Sequence, residues 1–460
     1  MLPALAQTAT RKTSYLPYGE AKPIITALEE ILPPELKGLS NDALAHKWSS
    51  WLNLRDRAIR SRLTLGDEDS LVNFLLFGST YTKQPRFSPK QISDIEGRQG
   101  GTDAQAKLAA ILDGRLQDLA SGLSRPGTNE RLLFTRQWLM QKGYRFTTEA
   151  ERAKVKEYLK ASVQRVLREQ ESYNRTLETA RAGGDANEEF AVRSTLYRER
   201  GLSSDTSLRP DFALEEALKA IKEQNLLAPN SVRRVAIIGP GLDFTDKQDG
   251  YDFYPQQTIQ PFAIIDSLLR LGLARLDTLQ VTTLDLSPRV NAHITRARQR
   301  AQGGEPYIVQ LPRTEQAQWS GSMVRYWQNF GDQIGAPATP ATIPAQLTGV
   351  TSRAVRIRPN VVSRLMPPVD MNVVLQRLEL PKNEQFDLMI ATNILVYYNT
   401  FEQSLALRNV ETMLRPGGFL LSNNELLELP FAGVRSANYS TTVYSARPDD
   451  GDHIVWYRRQ

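Results

Sequence analysis

The 460-residue sequence contains no cysteine, which excludes a disulfide framework, a thiolate metal site and a cysteine nucleophile. Its three histidines, His46, His293 and His453, are scattered, so neither a histidine metal cluster nor metal-dependent chemistry is expected. No run reaches the ~18–20 apolar residues that a membrane span requires. Neither charge dominates: 57 Lys and Arg face 51 Asp and Glu. That balance reads as a mixed, solvated surface rather than a nucleic-acid footprint. Internal repeats and low-complexity segments are missing as well. What remains is a chain with 41% hydrophobic residues, long enough to bury a large core shared by more than one domain.

Near the start, Ala4-Leu5-Ala6 before Gln7 has the small-x-small form of a signal-peptidase site, without the charged and apolar regions that precede one. A cytoplasmic protein with an ordinary terminal tail is the expectation. The alternative is an exported protein whose truncated signal peptide ends at Ala6.

Up to about Asn230 the apolar positions recur at three and four, which predicts a mostly α-helical region. One helix is expected from Asp42 to Leu63, carrying Leu44, Trp48, Leu52 and Ile59 on one side, and another after Asp67-Glu68-Asp69, stopping at Gly78. Thr148-x-x-Glu151 has the form of a capping box ahead of a long charged helix with Val155, Leu159 and Val166 on one face. From about Ser231 the texture changes to short β-branched runs alternating with helical stretches, the pattern of a parallel α/β sheet. Strands are expected at Arg234–Ile238, Gln280–Leu284, Met371–Leu375, Phe386–Ala391 and Gly418–Asn423, with a closing pair at Thr441–Ala446 and His453–Arg458. The division is thus a helical region over residues 1–230 and a Rossmann-like, doubly wound domain over 231–460.

The first strand ends in Gly239-Pro240-Gly241, a turn that lets backbone approach a nucleotide closely. A dinucleotide fingerprint needs a third glycine where this chain has Phe244, and an acid ~20 residues on; the first acid to end a following strand is Asp285. Nor is there the Gly-Lys-Ser/Thr of a phosphate loop. S-adenosylmethionine suits the pattern better. Asp285 ends the second strand, where a carboxylate accepts both ribose hydroxyls, and Glu379 follows the expected third strand, placed to accept from the adenine amino group. Leu286 and Leu380 flank those acids, while Thr392-Asn393-Ile394 form the wall after the fourth strand.

These segments resemble the class I S-adenosylmethionine-dependent methyltransferases, and among them the CheR-type chemotaxis receptor glutamate methyltransferases. "ATNILVYY" looks like that group's Cys-Arg-Asn-Val-Leu-Ile-Tyr-Phe, "LRPGGFLLSNNELL" is similar to its Leu-x-Pro-Gly-Gly-Tyr-Leu with Glu425 at the later acid, and "TIQPFAIIDSLL" resembles its Glu-Pro-Tyr-Ser helix. "MVRYWQNFG" and "AVRIRPNVV" resemble its Arg-Tyr-Phe and Arg-Val-x-Pro elements, and "LVNFLLFGSTYTKQPRF" its Asn-x-Thr-x-Phe-Phe-Arg segment, with Lys83 near the arginine. The departures are Asp243 at a motif glycine, Gln260 for Glu, and Thr392 for Arg. A carboxylate at Asp243 either binds the cofactor's amino group or repels its carboxylate.

The resemblance implies methylation of a carboxylate on a protein or small-molecule acceptor, with Tyr397 beside it. An ionised carboxylate needs no general base. A methyltransferase-like scaffold without activity is the alternative.

Overall fold

The computed structural model describes residues 12–87, 91, 102–183, 197, 200–244, 251–447 and 450–460; Ala4–Ala6 lie outside them. In chain order the elements begin with β1 (Thr13–Tyr15), α1 (Tyr18–Ala27), α2 (Asn41–Phe77), α3 (Thr102–Ser124), α4 (Glu130–Gln141), α5 (Glu149–Ala182) and α6 (Leu208–Glu223). Then come β2 (Arg234–Ile238), α7 (Gln260–Arg270), β3 (Gln280–Asp285), α8 (Pro288–Gln302), β4 (Tyr307–Thr314), α9 (Gly321–Asn329), β5 (Gly335–Ala338) and β6 (Val350–Ile357). The chain closes with β7 (Val369–Asp370), β8 (Gln376–Leu378), β9 (Phe386–Ala391), α10 (Thr400–Met413), β10 (Leu414–Ser422), β11 (Val434–Val443) and β12 (Gly451–Arg459).

Seven strands form the central sheet in the order β7-β3-β2-β9-β10-β12-β11. The strands from β7 to β10 run parallel, and β12 is antiparallel to both β10 and β11. The whole is a doubly wound sheet closed by a reversed hairpin, the layout that the sequence resemblance implies. Its strands are continuous apolar runs because both faces are covered: all six residues of β9 are buried.

Helices from the first half do the covering. On one face α6 places Phe212, Leu214, Ala217, Leu218 and Ile221 in a core with Val235, Ile237 and Val281. On the other, Leu16, Ala21, Ile24, Trp48, Trp51 and Ile59 share a core with Ala236, Ile238, Met389 and Leu420. The expected boundary near residue 230 therefore does not separate two cores. Only the second half of α2, with α3, α4 and α5, builds a helical core largely its own, and Phe244 plugs into it. There Phe244 meets the rings of Phe74 and Phe134 edge-on.

Two helices were expected where α2 runs unbroken. Asp67-Glu68-Asp69 does not start a helix; these acids serve as lateral partners, Glu68 accepting from the Ser162 hydroxyl and Asp69 pairing with Arg165 at 2.6 Å. Thr148 and Glu151 do form the reciprocal cap, the Glu151 N–H donating to Thr148 Oγ1 at 3.2 Å and the Thr148 N–H to Glu151 Oε2 at 2.9 Å. A second correction concerns the third parallel strand, which is Val369–Asp370 rather than Met371–Leu375. The chain leaves the sheet after Asp370, and β8 instead pairs with β1. A three-stranded antiparallel sheet, ordered β4-β6-β5, fills the interval between α8 and β7.

Candidate functional site

A cavity of about 480 Å³ opens at the carboxyl ends of β2, β3 and β9, where the parallel sheet reverses its winding and ligands of open α/β sheets bind. From the turn after β2, Gly239 and Gly241 line it while Pro240 between them does not; their φ of +64° and +72° is a left-handed conformation natural to glycine. The close approach these glycines permit is partly to the chain itself. A Cβ on Gly239 would collide with the Ile394 side chain, and one on Gly241 with Thr206 and the Ser204 carbonyl.

Residues 202–207 run as a strap over that turn. The Leu242 N–H donates to the Ser204 carbonyl at 2.6 Å, and Arg289 Nη2 to Ser204 Oγ at 3.0 Å. At its other end the strap crosses α2 so closely that a Cβ on Gly66 would overlap the Leu202 carbonyl. The first half of the chain thus supplies one wall of the cavity: Leu63, Leu202, Ser203, Ser204, Asp205 and Thr206.

Asp285 ends β3 and faces this space. It is 8% exposed, its Oδ1 accepts the Ser287 N–H at 2.7 Å, and burial pushes its carboxyl up to about 7. Leu286, Thr392, Asn393, Ile394 and Tyr397 line the same cavity. Thr392 Oγ1 accepts from Gln260 Nε2 at 2.9 Å, which ties the start of α7 to the end of β9. Asn393 holds φ at +57° and exchanges two hydrogen bonds with Asn423, at 2.8 and 2.6 Å. A non-glycine residue in this region is strained and is kept there by its surroundings. Beyond it, Asn399 and Glu402 cap α10 reciprocally and fix the loop that carries Tyr397, whose ring lies 5.8 Å from that of Tyr197.

Several expected residues fall elsewhere. Glu379 is exposed and pairs with Lys12 at 3.1 Å; neither it nor Leu380 lines the cavity, because they follow β8, which pairs with β1 outside the central sheet, whereas the sheet strand β7 ends at Asp370. Met371 and Val373 occupy that wall instead. Asp243 is buried outside the cavity, accepting from the Tyr254 hydroxyl at 2.8 Å and Gln257 Nε2 at 3.2 Å. Lys83, Glu425, Trp327 and the three histidines are likewise not among the lining residues. The described residues contain no cluster suited to a metal ion and no helix long and apolar enough to cross a membrane.

The sequence reading missed the strap and a polar group at the far end: Arg209 in the first turn of α6, Tyr444, Asp450 and Asp452. Two residues past Arg209, Asp211 is fully buried, with the Gln260 side chain as its polar neighbour. Burial pushes its carboxyl up to about 8, offset by the Gln260 side chain. The folded protein therefore holds this proton more tightly than the unfolded chain, and it loses stability as pH rises from about 4 through about 8. Asp211→Asn, which needs no proton, is expected to gain roughly 2 kcal/mol or more at pH 8. Melting curves of the two proteins should converge toward pH 4. A variant that is less stable at every pH would mean that the ionised carboxylate is needed.

No protein-family model matches the chain, and no curated protein matches it. Among solved structures, the N-methyltransferase NodS from Bradyrhizobium japonicum WM9 aligns at 13% identity over 54% of this chain and 97% of its own, with a TM-score of 0.25. The magnesium protoporphyrin IX methyltransferase ChlM from Synechocystis PCC 6803 gives 13% identity over 54% and 79%, with a TM-score of 0.25. The mitomycin 7-O-methyltransferase MmcR gives 12% over 92% and 100%, with a TM-score of 0.28. At such scores the fold rests on the strand order described above, and the site on its own residues.

Proposed function

We propose that this chain is an S-adenosylmethionine-dependent methyltransferase. The observation that carries the reading is Asp285, a buried carboxylate at the end of the second sheet strand, facing a cavity that Gly239 and Gly241 also line. The residues present fit the cofactor. Asp285 has spare acceptor capacity beside its backbone bonds to Ser287 and Gly241 and suits a ribose diol. Thr392, Asn393 and Ile394 would form the wall beside the cofactor. The placement of Asp243 also removes a ground for an inactive scaffold, since its carboxylate is engaged outside the cavity.

Bound S-adenosylmethionine supplies a methyl group on a positively charged sulfur, so the leaving group needs no activation by the protein. What the chain contributes is alignment. Asp285 would hold the sugar, the strap at 202–207 would keep water from one side, and Tyr397 with Tyr197 would flank the entering acceptor. For that acceptor the resemblance favours a carboxylate on a protein or small molecule, and the lining contains no histidine to serve as base. Incubation with methyl-labelled cofactor and candidate acceptors, followed by mild alkali, should release labelled methanol from an ester. Tyr397→Phe should lower kcat by ~10-fold with cofactor affinity nearly unchanged, as expected for a contact made to the reacting group. Label that survives alkali would point to nitrogen or carbon methylation and remove the carboxylate reading.

A further inference from the structure

Tyr397 is held in place from α2. Arg55 and Arg62 stand seven residues apart in that helix, two turns and therefore on one face, and between them they grip both ends of the segment that leads from Tyr397 into α10. Arg55 Nε donates to Glu402 Oε1 at 2.6 Å, while Glu402 Oε2 accepts the Asn399 N–H at the start of α10. Arg62 Nη1 donates to the Tyr397 carbonyl at 3.0 Å. The other two nitrogens of that guanidinium go to the residues ahead of the strap, Nη2 to the Tyr197 carbonyl at 3.1 Å and Nε to the Arg200 carbonyl at 2.9 Å. The Arg62 carbonyl in turn accepts the Leu202 N–H at 3.1 Å. Three carbonyls met by three nitrogens is a contact that a planar fork makes and the single nitrogen of lysine does not. Tyr197, Leu202 and Tyr397, the residues so joined, all line the cavity, as does Leu63 beside Arg62.

We infer that Arg62 is a positioning residue for methyl transfer, setting the Tyr197–Tyr397 pair, 5.8 Å between ring centres, on the acceptor side of the cavity. It acts through these tyrosines and is not itself among the lining residues. This rests on the methyltransferase reading above and goes beyond it, because it makes a helix from the chain's first half responsible for the geometry at the reacting group. The cofactor end is held separately: Asp285 is fixed by β3 and by the backbone N–H groups of Ser287 and Gly241. Loss of Arg62 should therefore loosen one end of the cavity and spare the other.

The test needs no known acceptor. Tetranitromethane is applied to the full chain, wild type and Arg62→Gln, Arg62→Lys and Arg55→Gln, the nitration rate of each of the 16 tyrosines is read by mass spectrometry, and S-adenosylhomocysteine is titrated calorimetrically into the same proteins. Arg62→Gln should bind S-adenosylhomocysteine within about 3-fold of wild type while Tyr197 and Tyr397 are nitrated ~3–10-fold faster and the buried Tyr307, Tyr326 and Tyr457 at the wild-type rate. Arg62→Lys, able to keep one of the three carbonyls, should fall between. Arg55→Gln, which frees only the α10 end, should speed Tyr397 and leave Tyr197 alone. On the acids that wild type esterifies, Arg62→Gln should lower kcat ~10-fold, and adding Tyr397→Phe should cost little more, since one change acts through the other. Unchanged rates at Tyr197 and Tyr397 in Arg62→Gln would overturn the inference, as would faster nitration at every tyrosine, the mark of a general loss of packing, or fully additive losses in kcat. A wild type that binds no S-adenosylhomocysteine would overturn the cofactor reading, which the calorimetry reports independently of the tyrosine rates, and the role of Arg62 in methyl transfer with it.

Discussion

Asp285→Ala is expected to weaken S-adenosylhomocysteine binding by roughly tens to hundreds of times, the equivalent of ~2–4 kcal/mol for two charge-assisted hydrogen bonds. The loss should be confined to the ligand. The carboxylate's bond to the Ser287 N–H helps its burial little, because burial still pushes the carboxyl up to about 7, so removing it should not unfold the chain. The same shift gives a pH signature. A diol donates to the ionised form, so wild-type affinity should rise as pH climbs from 6 to 8 and fall up to about tenfold per unit below the carboxyl's titration. Asp285→Ala should bind weakly with no such dependence. A variant with wild-type affinity would place the ribose elsewhere.

The second large effect concerns the chain's first half. Residues 231–460 expressed alone are expected not to fold cooperatively. That fragment loses Phe212, Leu214, Leu218 and Ile221 from one face of the sheet and Leu16, Ile24, Trp48, Trp51 and Ile59 from the other. Each large buried side chain contributes ~1.5–3 kcal/mol, so together they exceed the ~5–15 kcal/mol net stability of a typical domain. A parallel sheet needs cover on both faces. The fragment should show no cooperative melt and no binding of S-adenosylhomocysteine. A sharp melt with retained binding would establish residue 231 as the start of an autonomous domain.

How far the sequence discloses this structure depends on how local each signal is. The runs Arg234–Ile238 and Phe386–Ala391 are strands over the expected residues, because short, mostly apolar runs ending in Gly or Thr-Asn have few other solutions in a chain of this texture. Asp285 was legible for the same reason, as the acid that ends such a run. Glu379 was misplaced by the apolar stretch Met371–Leu375. Those five residues are buried but lie under α1 and α2 rather than in the sheet, and burial alone does not distinguish the two. Strands β4 to β6 were missed because Pro312, Pro337 and several arginines break their alternation. The strap left no mark: Ser203-Ser204-Asp205-Thr206 is ordinary loop composition, and only the tertiary crossing at Gly66 and Gly241 gives it a role. Arg209 and Asp450 are joined by an ion pair across 241 residues, a distance that no local pattern reports.

The most direct measurement is a calorimetric titration of the full-length wild-type chain with S-adenosylhomocysteine at pH 8, where Asp285 is ionised. The account predicts saturable binding to one site per chain, with micromolar affinity or tighter. A folded protein that shows no heat of binding and no ligand-induced rise in Tm would contradict it.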